Sequence, residues 1–398
     1  MLCWIGLGLG ILFLGWVLLQ MKTSRPDGEY LPSVHPYRTM MQYVMTTRAE
    51  SIVFYDLEIP ADNLLEYIEE ARNRFHVDVT HCLVAATAVG LQQTPEMNRF
   101  PIGRRLYQRH GNWITFSMKR KKKKKKAKLA TVKKQIPSEM TFEQLCSFLG
   151  EEIKVQRSGK ETYHDKEYNL LTSLPRPILQ FGVNLLRWMD YNNILPGSFI
   201  EGDALYTSAF LANLGSINMA SAYHHLYEWG NCPLFIMCGK IEERPYVENG
   251  ELKTRRIIPM RLTYDERIDD GLTANDGIEN MRKVLEDPQR YLGCLKEDGS
   301  DNIKLGRPDE IVPLAERAQE TVEPTPEVKE EEKAEATPSA EVISEPQTSE
   351  EKSSLTTEDK AEEKTESQEA EEAKEAEASE KSETTQEDNP STTDKKDD

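Results

Sequence analysis

The N-terminal segment constrains this chain more than any other feature. Residues 2–19 are all apolar or glycine, and Lys22 is the first charged side chain. As a helix these residues would rise about 27 Å, which is enough to cross the hydrocarbon core of a bilayer. A cleaved signal peptide would carry basic residues before the apolar run and small residues at a cleavage site, and this segment shows neither. It therefore predicts a single-pass transmembrane anchor over residues 1–21.

The charges next to this anchor indicate on which side the rest of the chain lies. Lys22, Arg25 and Arg38 follow the apolar run, and no lysine or arginine precedes it. Cytoplasmic flanks of membrane spans are enriched in basic residues. We therefore expect a membrane location, with the body of the protein on the cytoplasmic side.

The net charge is concentrated at the other end of the chain. The formal charge is −18, and residues 316–398 alone hold 29 acidic and 10 basic residues. This segment has few aromatic or long aliphatic side chains, so it cannot bury enough apolar surface to offset the entropy of ordering. We predict a disordered acidic tail over 301–398, a linker over 22–34 and one folded domain over 35–300.

The six cysteines point to neither a disulfide framework nor a metal centre. They are scattered, without a Cys-x-x-Cys pair or a histidine cluster at metal-ligand spacing. In a non-secreted chain, such cysteines are usually small buried apolar residues. No metal site is predicted.

Apolar spacing in the body predicts helices and strands in alternation. Helical spacing marks residues 35–51, 62–74, 80–91, 138–155 and 278–285, and strand-like runs mark 52–59, 206–214, 233–239 and 257–264. The turn signal at 110–112 predicts two short strands around it, and Asn249-Gly250 predicts a hairpin. Such a succession without strict βαβ spacing predicts a mixed sheet with helices on one side.

Residues 174–195 have an apolar surface that is wide for an exposed helix. A helix of this kind could belong to the core, cover a pocket, or lie in a membrane interface. Core or pocket cover is the interpretation we favour from sequence.

A basic tract occupies residues 119–128, where nine of ten side chains are Lys or Arg. Like charges repel and face water, so the tract is either a solvated hairpin loop or a patch for anionic lipid. It could also dock the acidic tail. Nucleic acid is not expected, because no aromatic side chain interrupts the tract to stack on bases. The central contact residues would be Lys121, Lys122, Lys123, Lys124, Lys125 and Lys126.

The segment from Asp265 to Gly271 resembles the active-site signature of the dihydrolipoamide acyltransferases, which reads Asp-His-Arg, two residues, Asp-Gly. Other segments agree in order, namely 38–59, Thr94-Pro95-Glu96-Met97-Asn98, Asn213-Leu214-Gly215 and 239–256. The resemblance implies an α/β fold, the two-layer mixed sheet of chloramphenicol acetyltransferase. It also implies a homotrimer with sites between subunits, and a coenzyme A thioester as substrate if the protein is active.

Two departures from the family pattern change the expected function. The family's catalytic histidine position is Glu266 here, and its hydroxyl position before Asn-Leu-Gly is Ala212. Acyl transfer needs a base and an oxyanion donor. We therefore expect a non-catalytic or strongly altered binding or scaffold protein. The alternative is a coenzyme A-dependent acyltransferase with a non-standard base such as Glu266, which would need an apolar environment to take up a proton.

Other features of the pattern bear on structure. Asp270, Gly271, Asn213 and Gly215 are retained, and the resemblance implies that an arginine of the first helix, Arg38 or Arg48, pairs with Asp270. Residues 170–203 form an insertion relative to the family, and no lipoyl domain is found in the chain. A core subunit of a 2-oxoacid dehydrogenase complex is therefore improbable. The pair His224-His225 could approach the site from a neighbouring subunit, and Thr207 or Ser208 could replace the missing hydroxyl.

Overall fold

A computed structural model describes residues 2–119, 129–157 and 173–306. Helix α1 (Leu2–Met21) contains the predicted anchor. It is long and apolar enough to cross a membrane, and no residue from Trp4 to Met21 is buried against the body. Residues 120–128 of the basic tract and the segment from 307 onward lie outside the described residues.

The main sheet is mixed. Its strands are β2 (Ile52–Pro60), β5 (Trp113–Lys119), β6 (Leu129–Gln135), β7 (Ala209–Asn213), β8 (Leu234–Cys238), β9 (Glu242–Glu248) and β10 (Glu251–Asp265). The spatial order is β2-β10-β8-β7-β5-β6, and β9 pairs with the first half of β10. Strands β5, β7 and β8 are parallel to one another, and the remaining pairs are antiparallel. The predicted mixed α/β class is confirmed.

Helices cover one face of this sheet. They are α3 (Asp62–Ala71), α4 (Val79–Gln93), α5 (Phe142–Arg157), α8 (Gly271–Glu286) and α9 (Pro288–Leu292). Helix α4 is apolar around its whole circumference, with Cys82 to Leu91 buried, so it lies in the centre of the core. Alternate residues of the central strands, such as Leu211, Ile236 and Leu262, meet these helices from the sheet side.

A small sheet shows that the predicted linker belongs to the fold. Strands β1 (Gly28–Tyr30), β4 (Arg105–Arg109) and β3 (Arg99–Ile102) pair antiparallel in that order. Arg25 is buried and bonds to Asp27 and Asp190 at 2.9 Å each. Residues 25–30 are therefore structural, because the buried ion pairs and the strand need them. The described fold also includes Leu305, which is buried and lies past the boundary expected at 300.

The helix boundaries differ from expectation where side chains cap the ends. Helix α2 (Pro36–Val44) is shorter than the predicted 35–51, and residues 48–51 form a turn before β2. Helix α5 begins after Thr141, whose hydroxyl caps Gln144, so Thr141 acts as the cap in preference to Ser138. The Asn249-Gly250 turn has positive φ at both residues, as a two-residue hairpin requires.

The segment expected as core or pocket cover is mostly exposed. It forms α6 (Arg176–Tyr191) and α7 (Gly197–Gly202). Asp190 is the buried residue of α6, whereas Phe181 is 69% exposed and Trp188 is 49% exposed. The core interpretation of this helix is therefore wrong for its outer face.

Candidate functional site

The loop that resembles the family signature starts where β10 ends, and a buried ion pair holds it. Asp265 is fully buried, and its carboxylate accepts from Arg267 Nε at 2.9 Å and from Arg267 Nη2 at 2.8 Å. The backbone N–H of Asp265 donates to the Pro233 carbonyl at 3.0 Å. A bidentate arginine–carboxylate pair of this kind fixes geometry as well as charge.

Glu266 lies between the two members of that pair and is held by its backbone. Its N–H donates to the Ser51 carbonyl at 3.0 Å, and its carbonyl accepts from Arg38 Nη1 at 2.7 Å. The side chain is half-buried. Burial raises the pKa of Tyr55, and the charges of Asp270 and Glu266 raise it further. Two backbone hydrogen bonds therefore hold Glu266, the residue that the sequence predicts at the family's base position.

The two arginines proposed as partners of Asp270 bind other groups. Arg38 lies 3.7 Å from the neighbouring Asp269, and Arg99 binds the second oxygen of Asp269 at 2.5 Å. Among the described residues, the Asp270 carboxylate accepts instead from the Thr273 N–H at 3.0 Å and caps α8, which begins at Gly271. The arginines of this region therefore pair with Asp269, whereas Asp270 caps α8.

Arg48 is buried behind this loop and anchors the chain before β8. It donates to the carbonyls of Cys232 at 2.7 Å and Gly230 at 2.8 Å. Burial lowers the pKa of Arg48, while the nearby Asp265 acts in the opposite direction. Asp265 therefore faces two guanidinium groups in the interior, one bonded directly and one nearby.

The second family position, Ala212, lies near the end of β7 in an apolar patch. Ala212 packs with Phe210, Phe235 and Met237 on the sheet face opposite the helices. The following turn is kept: the Asn213 side chain accepts from the Ser216 N–H at 3.0 Å and donates to Thr80 Oγ1 at 3.1 Å. A Cβ at Gly215 would lie 2.4 Å from the Gly239 carbonyl oxygen, so the turn requires glycine.

Rings stack next to Ala212. His224 lies 4.3 Å from Phe235 and 4.9 Å from His225 between ring centroids, and Phe235 stacks on Phe210 at 4.5 Å. The four rings form a column across the open sheet face. The column places His224 on the same face as Ala212, within the same chain.

The hydroxyl residue nearest to Ala212 in sheet register is one that the sequence did not reveal. Ser117 in β5 is the register partner of Ala212, so the two side chains leave the same face of the sheet on neighbouring strands. The hydroxyls expected as substitutes are bound elsewhere. Thr207 donates to the Trp113 carbonyl at 2.7 Å, and Ser208 accepts from the Trp113 N–H at 2.9 Å.

The two altered positions do not meet within one chain. Ala212 pairs with Met237, and Met237 pairs with Arg261 in β10. Glu266 lies five residues beyond Arg261, which corresponds to about 16 Å along an extended strand. Because β7 and β10 run in opposite directions, Asn213 and Asp265 lie at opposite ends of the strands.

A cavity of about 570 Å³ opens beside the signature loop. Its walls include Arg48 and Arg267 from the loop region, Arg104 from the β3–β4 turn and Arg187 from α6. Arg104 also lies over the Tyr43 ring at 5.2 Å. Glu228 and Asp190 contribute carboxylates, so both signs of charge line this space. Within the described ranges, no group of His, Cys, Asp and Glu is arranged to hold a metal ion.

The fold and the loop after β10 are similar to those of the acyltransferase family that the sequence resembles. Residues 207–293 match the family model of the 2-oxoacid dehydrogenases acyltransferase (catalytic domain), which confirms the resemblance found in the sequence. These residues include β7 with Ala212, the signature loop with Glu266, and α8. The match therefore covers both altered positions.

Known proteins of this kind align over short stretches in sequence and longer ones in structure. The dihydrolipoyllysine-residue acetyltransferase component of the pyruvate dehydrogenase complex from Bacillus subtilis (strain 168) is 33% identical over 54 residues, which span 14% of this chain and only 12% of that relative. A probable dihydrolipoamide acetyltransferase from Listeria monocytogenes 4b F2365 has a TM-score of 0.43 at 13% identity, over 65% of this chain and 95% of the other. A chloramphenicol acetyltransferase has a TM-score of 0.40 at 12% identity, over 65% and 98%.

Proposed function

We propose that this protein is a membrane-anchored binding or scaffold protein that retains the acyltransferase fold without the family's acyl transfer. The observation that carries the proposal is the state of the two altered positions. Glu266 replaces the base on a loop that structural ion pairs hold, and Ala212 replaces the hydroxyl within an apolar patch.

The magnitudes favour loss of activity over a modest reduction. General base catalysis contributes about 10²–10⁴ in rate, and one oxyanion donor about 10²–10³. A carboxylate is a weaker base than imidazole toward a thiol near neutral pH unless its surroundings are strongly apolar. The Glu266 side chain is half-buried and lies beside the guanidinium-rich loop. The rate contributions of the general base and of the oxyanion donor are therefore both missing.

The function is tested in a coenzyme A release assay with the full chain. Wild type, Glu266→His, Ala212→Ser and the double variant are compared, with Glu251→His in the exposed hairpin as a matched control for an added histidine. We expect negligible turnover in wild type. Wild-type turnover on the order of 1–10³ per second that Glu266→Ala abolishes would show an enzyme with a carboxylate base.

We also propose that the body assembles as a homotrimer with composite sites. The support is the separation of Glu266 from Ala212, which leaves one chain with two half-sites about 16 Å apart along the strand direction. Sedimentation equilibrium of the full chain in density-matched detergent should give three copies. A monomer at micromolar concentration would contradict this assembly.

The body is proposed to face the cytoplasm, and the basic tract to contact anionic lipid. The charge pattern after α1 supports the first, and the density of lysine from Lys121 to Lys126 supports the second. Protease added to intact spheroplasts should leave the body uncut. Replacing these six lysines with glutamine should weaken a salt-sensitive association with anionic vesicles, whereas equal binding to neutral and anionic vesicles would contradict the lipid contact.

A second candidate function is coenzyme A-dependent acyl transfer, which is favoured by two residues on the same sheet face as Ala212. Ser117 lies beside Ala212 in register, and His224 stacks over Phe235 on the same face. A hydroxyl and an imidazole are the groups that the two family positions lack. If the wild type releases coenzyme A, Ser117→Ala and His224→Ala should each abolish the reaction, while Thr115→Val, two residues away on the same face, should leave it intact.

A further inference from the structure

Helix α6 exposes an apolar stripe that the described residues of the body do not cover. Ile178, Phe181, Leu185 and Trp188 recur at helical spacing and are between 42% and 69% exposed. Together they form one face of a helix about 24 Å long. The stripe is therefore the part of α6 that needs a partner.

The opposite face of α6 is already used. Leu186 and Met189 pack against a cluster formed by Leu195, Ile200 and Tyr206. Asp190 turns inward as well, and its carboxylate accepts from the Tyr206 hydroxyl at 3.0 Å. The apolar stripe consequently points away from the body.

The end of α6 is bonded to the chain that leaves α1. Arg25 Nη1 binds the Asp190 carboxylate at 2.9 Å, and the Asn193 side chain donates to the Lys22 carbonyl at 2.8 Å. These contacts place α6 within a few residues of the point where the apolar run of α1 ends. The chain that follows α1 is therefore bonded to the C-terminal end of α6.

A cavity between the two helices has the composition of a membrane interface. Trp16 and Leu19 from α1 line it together with Trp188 and Tyr191 from α6, and Arg105 bonds to the Gln20 carbonyl. Tryptophan, tyrosine and arginine are enriched where the headgroups meet the acyl chains. The apolar surface of α1 continues here into the exposed face of α6.

The charges of α6 agree with an anionic surface. Arg176 and Arg187 are exposed, and residues 176–189 contain no acidic side chain. The one acidic residue of α6, Asp190, is buried against Arg25. An interfacial helix has this arrangement, with an apolar face in the acyl boundary and arginines at the headgroups.

We infer that α6 lies in the interfacial layer of the same membrane that α1 crosses, with Ile178, Phe181, Leu185 and Trp188 in the acyl boundary. The body is then held at two points, so its orientation relative to the bilayer is fixed. This inference rests on the membrane anchor in the proposed function. Lipid is favoured over a second copy of the chain because the stripe is continuous with α1 and flanked by basic residues alone over 176–189.

The test uses the full chain in vesicles of phosphatidylcholine and phosphatidylglycerol, with Cys3 replaced by serine. A nitroxide label is placed at Phe181→Cys, with Glu151→Cys on α5 as an exposed control. Power saturation compares collision of each label with oxygen, which partitions into acyl chains, and with a water-soluble nickel complex. We expect oxygen to dominate at position 181 and nickel at position 151.

A charged variant supplies the second measurement. Phe181→Asp with Leu185→Asp should move a label at Ile178→Cys from the oxygen-dominated to the nickel-dominated state, with little change in the thermal midpoint, because Phe181 is 69% exposed and Leu185 is 42% exposed. A label at 181 that collides mainly with nickel would overturn the inference. So would a label shielded from both reagents whose spin–spin broadening disappears on dilution with unlabelled chain, which would identify a second copy as the partner. Failure of the chain to float with vesicles would instead contradict the anchor itself.

Discussion

Replacing Arg267 with methionine tests whether the signature loop has become a structural element. In the wild type, Asp265 is fully buried and receives two hydrogen bonds from Arg267. Methionine keeps much of the side-chain volume but leaves the carboxylate without its bonded cation. Removing one partner of a buried pair typically costs 3–5 kcal/mol. Because Arg48 also acts on Asp265, we expect the lower end, about 3 kcal/mol of the free energy of unfolding.

The assay is denaturant unfolding of the full chain in detergent, followed by tryptophan fluorescence. Arg38→Met is the matched control, since Arg38 is partly exposed and its nearest carboxylate oxygen is 3.7 Å away. It should cost about 1 kcal/mol, mainly from the lost bond to the Glu266 carbonyl.

A double variant separates the ion pair from simple loss of packing. Asp265→Asn combined with Arg267→Met removes the unpaired charge, so the two changes should cost about 2 kcal/mol less together than the sum of their separate costs. Arg48 would then lack its nearby carboxylate, which prevents full recovery. Equal costs for Arg267→Met and Arg38→Met, or no coupling in the double variant, would refute the assignment of this pair as the anchor of the loop.

Three further changes test the fold. Asp78→Ala removes the cap of α4 and should cost about 1–2 kcal/mol in denaturant unfolding. Burial raises the pKa of Asp78, but the hydrogen bonds from His81 outweigh burial and hold this pKa below 3.8. The stabilisation by Asp78 is therefore full above about pH 4, and the cost of the substitution should shrink as the pH falls further. Gly277→Ala would place a Cβ 1.8 Å from the buried Met97 sulfur and should lower the thermal midpoint by the equivalent of about 1–3 kcal/mol, whereas Gly182→Ala on α6, with no atom within 4 Å, should not. Burial lowers the pKa of Lys133 to about 8 from 10.5, so the unfolded chain binds more protons between these values; stability should rise with pH through this window, and Lys133→Met should flatten the rise.

Much of the fold could be predicted because local spacing and turn chemistry carry it. The run from Pro233 to Gly239 and the Asn249-Gly250 turn became a strand and a hairpin as expected. Pairings between distant strands could not be predicted in the same way. The neighbour of Ala212 is Ser117, 95 positions earlier, and only the parallel register of β5 and β7 shows it.

The sequence was least informative where polar residues satisfy one another at a distance. Residues 22–34 look like a linker because they are short, polar and contain proline and glycine, yet Arg25 is buried through bonds to Asp27 and Asp190. No local sequence pattern predicts that Arg25 binds a residue 165 positions away. The core prediction failed for the outer face of α6 for the opposite reason, because the apolar periodicity of α6 is that of a core helix. Periodicity shows that a face needs covering, but it does not say whether protein or lipid covers it.

The pattern of what is kept and what is lost in the loop has a physical logic. Asp265 and Arg267 are buried together, so exchanging either alone would leave a desolvated charge at a cost of several kcal/mol. Glu266 stands between them, but its side chain is half-buried and its backbone makes the bonds that position the loop. The residue at 266 can therefore change at little cost to the fold, because the bonds from Ser51 and Arg38 do not depend on its side chain. Stability constrains the loop at 265 and 267, and only catalysis would constrain it to histidine at 266. A chain in which the flanking pair persists and the histidine is absent is what we expect when the loop serves the fold and no longer the chemistry.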